Sequence, residues 1–187
     1  MSRLICAAAG VLIAVAAAAC DDAKPMNPTA PGGTGPMANQ RLGPRTINLK
    51  DACDSTTFNT LGPNVCIRNG GVTLTKFLTL LGQHHQVGGW HYAPGGTIKV
   101  PVGTILRAVN GGGETHTFTE VEQFGGGFLD FINQPAGTPD PAPECLALAS
   151  SEFIAPGAFR DDPVEHPGIE RYQCCIHPWM RLTVVGR

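Results

Sequence analysis

Downstream of residue 97, short runs of alternating apolar and polar residues predict a series of β-strands. The runs cover residues 97–102, 105–110 and 115–121, followed by a short strand at 153–157 and two closing strands at 169–174 and 181–185. In the third run, His116, Phe118 and Glu120 share one face of the strand. Several short strands separated by turn signals predict an all-β sandwich.

A helical period replaces this alternation within residues 72–82. Apolar residues recur there at offsets of three and four, which gives a helix one apolar face: Leu74, Phe77, Leu78 and Leu81. Thr73 is the predicted N-cap and Gly82 the predicted C-cap. We expect this helix to lie across the outside of the sheet.

Two stretches interrupt the strand pattern. Residues 124–150 (the insert) are rich in Gly and Pro and contain Cys145. An irregular stretch of this length is usually functional or packed over its domain. Residues 158–168 are acidic and contain proline, and we expect them to form a surface loop.

The stretch around residue 90 combines aromatic residues with three histidines. Trp90 and Tyr92 are predicted to enter the core. His84 and His85 are adjacent, so they cannot both face one metal from a regular element without distortion. We therefore interpret these two, with His91, as solvent-facing loop residues.

The chain begins with a targeting signal. Arg3 precedes an apolar, Ala-rich stretch that ends in Ala17-Ala18-Ala19-Cys20, and residues 1–20 resemble a bacterial lipoprotein signal in which Cys20 is lipidated. Ordinary secretion with cleavage nearby is the alternative. Both place the mature protein outside the cytoplasm, in the periplasm or at the cell surface; lipidation at Cys20 would add its one membrane contact. Residues 21–45 read as a flexible linker.

Composition excludes several classes of function. The 24 Gly and 16 Pro residues among 187 favour short strands and many turns, in keeping with one all-β domain. Thirteen basic residues nearly balance fifteen acidic ones, so no basic surface for nucleic acid is predicted. Because the chain also lacks a phosphate-binding Gly-rich loop ending in Lys, we do not expect an enzyme of phosphate chemistry.

Residues 46–89 (the extension) contain two cysteines, Cys53 and Cys66. In an oxidising compartment a disulfide is the default for such a pair. Closing a loop of this size stabilises the fold by about 3 kcal/mol in the chain-entropy model.

A cluster of metal-binding side chains lies near the C-terminus. Cys174, His177 and Met180 follow one another at steps of three residues, and His116 is a candidate fourth ligand. Thiolate and thioether sulfur suit copper, and one Cys with two His and a long axial Met is the donor set of a blue-copper site.

The segment around this cluster resembles the cupredoxins, most closely the short ligand loops of amicyanin-like and plastocyanin-like proteins. The likeness covers about residues 90–187, including the strand–turn–strand pattern at 98–110 that leads towards His116. It implies a Greek-key sandwich with one type 1 copper ion, held strongly by His116, Cys174 and His177 and weakly by Met180. It also implies that Tyr172 is a core residue.

The resemblance further implies a monomeric carrier of single electrons between transient redox protein partners, not an enzyme. His177 would lie near the surface as the electron port, with Pro178 and Trp179 in an apolar patch around it; Trp179 fits the core equally well. The alternative is a protein that stores or delivers copper, or an accessory domain, without redox turnover. The extension has no counterpart in small cupredoxins.

Cys175 leaves several possibilities open. On a strand it points away from Cys174, and one account pairs it with Cys145 in a disulfide that ties the insert to the copper loop. Alternatively, Cys174 and Cys175 are both redox thiols, or both form disulfides and no metal binds. A dinuclear copper site fits less well, because its loop has three residues between two cysteines, whereas Cys174 and Cys175 are adjacent. A multicopper oxidase would need paired His-x-His motifs, which are absent.

Overall fold

The part of the protein that the structure describes contains ten short strands. The structure, a computed structural model, describes residues 43–187. The strands are β1 (Arg45–Lys50), β2 (His91–Ala93), β3 (Gly96–Val100), β4 (Ile105–Asn110), β5 (His116–Thr117), β6 (Thr119–Glu120), β7 (Phe153–Ile154), β8 (Phe159–Pro163), β9 (Gly168–Gln173) and β10 (Arg181–Gly186). The predicted signal peptide with Cys20, and the predicted linker up to residue 42, lie outside the described residues.

Two four-stranded sheets carry the fold, and both mix parallel and antiparallel pairs. Their strand orders are β2-β1-β4-β8 and β3-β10-β9-β6, while β5 and β7 form a small separate pair. The parallel pairs are β1 with β4 and β3 with β10. The predicted fold class, an all-β sandwich with an N-terminal helical and disulfide-bonded extension, is confirmed.

The core is formed by alternate residues of these strands. In β1, Ile47 and Leu49 are buried while their neighbours are exposed, and β10 shows the same alternation. Tyr172 stacks on Phe118 with ring centroids 4.3 Å apart, an offset aromatic contact deep in the core. The expected core positions of Trp90 and Tyr92 are confirmed, because both are almost fully buried.

The segment predicted as a surface loop after residue 157 contains a strand. Residues Phe159–Pro163 form β8, which pairs antiparallel with β4 at the edge of the first sheet. Its charged residues fit an edge position, where one side of the strand meets water. The prediction of a loop throughout 158–168 is therefore wrong.

Between these strands, residues 43–187 contain four helices, α1 (Ser55–Phe58), α2 (Leu74–His84), α3 (Asp130–Asn133) and α4 (Pro143–Leu146), and a 3₁₀ turn at Ser150–Glu152. Thr73 caps α2 as predicted, since its hydroxyl accepts from the Lys76 amide. The predicted C-cap at Gly82 is wrong. The helix runs to His84 and ends at His85, whose left-handed backbone (φ 59°) donates its N–H to Leu81.

Within residues 43–187, no helix combines the length and apolar character that crossing a membrane requires.

Helix α2 covers one end of the sandwich instead of the outside of a sheet. Phe77 and Leu81 are its buried residues, while Leu78 is 48% exposed. The Phe77 ring lies 4.8 Å from that of Trp90 and 5.9 Å from that of Trp179, centroid to centroid. The extension thus packs against the C-terminal loop that carries the predicted ligands.

Candidate metal centre

Cys174, His177 and Met180 lie on a tight loop between β9 and β10 (residues 174–180, the ligand loop). The Cys174 amide donates to the Met180 carbonyl at 3.0 Å, and the Met180 amide donates to the His177 carbonyl at 2.9 Å. These bonds bring the two ends of the loop together and fix His177 at its turn. All three side chains are buried.

His116 approaches this loop from β5. Its Nδ1 lies 3.8 Å from the Cys174 sulfur, and the Nδ1 of His177 lies 3.7 Å from the same sulfur. The three donor atoms lie within 4.8 Å of one another, close enough to bind one ion. The structure therefore gathers His116, Cys174 and His177 at one point, with Met180 buried at the adjoining end of the ligand loop.

Cys174 is the one cysteine of residues 43–187 that is not in a disulfide. The structure bridges Cys53 with Cys66 and Cys145 with Cys175. Cys175 is thus tied to the insert, and it is not a free thiol next to Cys174. This pairing disagrees with two of the alternatives. Cys174 and Cys175 are not both free redox thiols, and Cys174 is not part of a disulfide.

The surroundings of Cys174 favour a thiolate. Burial would raise the pKa of the Cys174 thiol, but His116 and His177 outweigh burial and hold it well below its usual value. The Thr117 amide also donates to the sulfur, at 3.4 Å. Since the thiolate is the form that binds metals, the site is prepared for an ion.

A buried carboxylate, which the sequence analysis did not identify, holds the outer nitrogen of His116. Asp51 Oδ2 lies 3.0 Å from His116 Nε2 and also accepts from the amides of Gly113 and Glu114, at 2.8 and 2.9 Å. Burial would lower the pKa of His116, but the hydrogen bonds to Asp51 and Cys174 raise it to about 9. Asp51 therefore fixes the ring so that Nδ1 faces the sulfur.

The glycines before His116 make this contact possible. A Cβ atom on Gly112 would overlap the Asp51 carboxylate, and one on Gly113 would lie 2.9 Å from the Cys53 sulfur. Glycine at both positions lets the chain pass close enough for the Gly113 and Glu114 amides to reach the Asp51 carboxylate. The Gly111–Gly113 turn thus has a packing role beyond turning the chain.

A second buried carboxylate lies beside His177. Glu114 Oε2 is 3.8 Å from His177 Nε2 and accepts a very short hydrogen bond from the Trp90 indole. Burial raises the pKa of Glu114 despite the attraction of His177. The outer nitrogens of both histidines therefore face carboxylates, an arrangement that orients metal-binding imidazoles in proteins.

The expected position of His177 near the surface is wrong. His177 is only 2% exposed, and the rings of Phe77, Trp90 and Trp179 surround it. Pro178 is also buried and Trp179 is half-buried, so the expected apolar surface patch is absent from these residues. The cause is the extension, whose helix α2 covers this end of the sandwich.

The three histidines predicted to be solvent-facing loop residues face solvent as expected, but His84 is the last residue of α2 and His91 the first of β2, so the prediction of a loop is wrong for these two. His84, His85 and His91 are all exposed. They do not join the cluster around Cys174.

Asp51 should make the stability of the metal-free protein depend on acid. Burial would raise its pKa, but the hydrogen bonds from His116, Glu114 and Gly113 outweigh burial and lower it from 3.8 to about 2. A lowered pKa stabilises the fold above pH 4, and this contribution is lost as the pH falls towards 2. We expect a loss of about 2 kcal/mol from this group, measured by urea unfolding at pH 4 and pH 2. In Asp51→Asn that share of the acid sensitivity should disappear; an unchanged slope would contradict the assignment.

Comparison with solved structures gives matches at low identity and low TM-score. A purple cupredoxin from Nitrosopumilus maritimus is 16% identical, with a TM-score of 0.43, over 76% of this chain and 98% of that one. An oxidized plastocyanin from Dryopteris crassirhizoma is 13% identical, with a TM-score of 0.39, over 76% and 100%. A mutant amicyanin in the Cu(I) form is 16% identical, with a TM-score of 0.34, over 50% and 70%.

No protein-family model matches the chain, and no curated protein matches it significantly. With identities of 13–16% and TM-scores below 0.5, the three structures assign neither a family nor a ligand to this chain. A function has to be inferred from the side chains of the site itself.

Proposed function

We propose that this protein is an extracytoplasmic type 1 copper protein that carries single electrons between redox partners. The observation that supports it best is the convergence of His116 Nδ1, Cys174 Sγ and His177 Nδ1 within 4.8 Å. Two imidazoles and one thiolate are the strong donors of a blue-copper site. Met180, buried at the end of the ligand loop, would supply a weak fourth ligand.

The residues present fit a copper ion for two further reasons. The thiol at Cys174 is kept ionised, and both imidazoles point Nδ1 inwards because carboxylates occupy the space next to Nε2. A bound copper ion would supply the one-electron Cu(II)/Cu(I) couple. Asp51 and the backbone bonds of the ligand loop hold the donor atoms in place, which keeps structural change between the two oxidation states small.

Burial favours electron transfer over copper storage or delivery. Handing an ion to another protein requires a ligand that the acceptor can approach, yet His116, Cys174 and His177 are each at most 2% exposed. Electrons, in contrast, can leave through the packed rings around His177 without any ligand exchange. We therefore propose a carrier and not an enzyme or a copper donor.

The proposal includes the location and organisation of the chain. A signal peptide at 1–20, lipidation at Cys20 and a linker at 21–45 would tether the protein in the periplasm or at the cell surface as a monomer. Residues 46–89 would then form the extension and residues 90–187 the copper-binding domain. Strand β1 lies within the extension but pairs with β2 and β4, so the extension contributes to the first sheet.

An absorption spectrum tests this function. Full-length protein loaded with one equivalent of Cu(II) should show an intense band near ~600 nm, from charge transfer between the thiolate and Cu(II). Ascorbate should bleach the band and ferricyanide should restore it. A copper-loaded protein without the band, or a band that ascorbate does not bleach, would contradict the proposal.

A further inference from the structure

An apolar pocket opens directly beside the candidate copper site. Its volume is about 340 Å³, and it is bounded by twelve residues of which ten are apolar. This volume is near the lower end for small-molecule sites, and cavities of about half that size already bind benzene. The pocket therefore has room for a molecule of one or two rings.

Three parts of the chain build the pocket. The extension contributes Phe58 and Phe77, the insert contributes Leu129 and Ile132, and the ligand loop contributes Ile176. The extension and the insert thus meet at the ligand loop and leave a space between them. Such a junction is a common place for a binding site.

Two polar residues line the pocket: Glu114 and His177. The Oε2 atom of Glu114 is taken by the Trp90 indole and by His177, whereas within residues 43–187 its Oε1 atom accepts no hydrogen bond. An apolar pocket with one available carboxylate oxygen is suited to an apolar molecule with a single donor group. Aromatic walls such as Phe58 and Phe77 favour a ring over an alkyl chain.

We propose that this pocket binds a small aromatic molecule with one hydrogen-bond donor, a phenol being the simplest example, whose hydroxyl group bonds to Glu114. The ring would lie among the side chains of α2 and α3 and would reach His177. A protein surface fits less well, since His177, one of the two polar residues that line the pocket, is only 2% exposed. This ligand site goes beyond the proposed electron-carrier function.

The proposal can be tested by calorimetric titration with two probes, p-cresol and toluene. Each probe is titrated into the full chain, once metal-free and once loaded with copper. The two probes have nearly the same shape, and only p-cresol has a donor. Only p-cresol can form a hydrogen bond to Glu114, so it should bind about tenfold more tightly than toluene. In Glu114→Gln this advantage should shrink several-fold while toluene binding is retained.

A second pair of variants tests the position of the site without touching Glu114. Leu78 lines the pocket and is 48% exposed, so Leu78→Trp should obstruct the pocket and weaken both probes at least tenfold. Leu146 is 66% exposed and does not line the pocket, so Leu146→Trp is the matched control. It should bind both probes as tightly as the original protein does.

The outcomes separate this inference from the copper proposal. If neither probe binds, or if Leu78→Trp and Leu146→Trp behave alike, the ligand site is overturned even where the ascorbate-sensitive band is present. If p-cresol binds with the expected dependence on Glu114 and Leu78 while the band is missing, the ligand site stands and the electron-carrier function falls.

Discussion

Replacing Cys174 with serine is expected to abolish the band near ~600 nm of the copper-loaded protein, because no thiolate remains to transfer charge to Cu(II). Serine has nearly the shape of cysteine and still accepts from the Thr117 amide, so the fold should persist. Loss of a residue that only hydrogen-bonds to a metal ligand typically lowers metal affinity by roughly 10–100-fold. Cys174→Ser removes a ligand itself, so its affinity for Cu(II) should fall by more than this.

The exposed histidines provide the control for this variant. His84 and His85 are exposed and can bind copper adventitiously, so the double variant His84→Ala/His85→Ala should retain the band in full. The measurements are absorption spectra and competition with a Cu(II) chelator of known affinity. Should Cys174→Ser keep the band, or should the double variant lose it, the ligand assignment would have to be abandoned.

The parts of the site that the sequence could predict are those encoded in local spacing. Cys174, His177 and Met180 recur every third residue, a spacing that packing alone does not require. His116 is a candidate as an isolated histidine upstream of the ligand loop. The predicted single strand at 115–121 is wrong: the structure divides it into β5 and β6, which pair in different sheets, and both residues of β5 are buried. In the structure these four residues are buried in the same region, and three of them share one centre.

The two carboxylates were out of reach for the same reasoning. Asp51 is 65 residues from His116 in the chain, and nothing in the sequence near it points to a histidine partner. Glu114 is close to His116 in sequence but is associated with His177 and Trp90 in space. Such contacts depend on how separate segments fold together, which residue spacing does not encode.

The extension also shows how tertiary contacts override local pattern. Residues 45–50 alternate well enough for a strand, but the linker is predicted to end at Arg45 and no strand is predicted at 46–50; only pairing with β2 and β4 identifies β1. Leu78 belongs to the apolar face of α2 yet is half-exposed, because it borders the pocket and not the core. The burial of His177 has the same origin, since α2 covers an end that the resemblance leaves open.

Replacing Asp51 with alanine is expected to destabilise the protein by about 3–5 kcal/mol, the cost of breaking a buried ion pair and leaving its partner unsatisfied. The Asp51 side chain is 2% exposed and satisfies His116 and the amides of Gly113 and Glu114. Without it the His116 ring loses its anchor, so Cu(II) affinity should also fall about 10–100-fold. Urea unfolding of the metal-free protein and chelator competition measure the two effects separately.

Asp161 provides the matched control, because it also forms a close ion pair but does so at the protein surface. Its carboxylate makes two hydrogen bonds of 2.7 Å to Arg107, but the two side chains are 36–37% exposed. Water screens such a pair, so Asp161→Ala should cost less than about 1 kcal/mol and leave Cu(II) affinity unchanged. If the two alanine variants lose similar amounts of stability, Asp51 does not act as a buried anchor. If Asp51→Ala unfolds more easily but binds Cu(II) as before, its role is confined to the fold and His116 is held by other contacts.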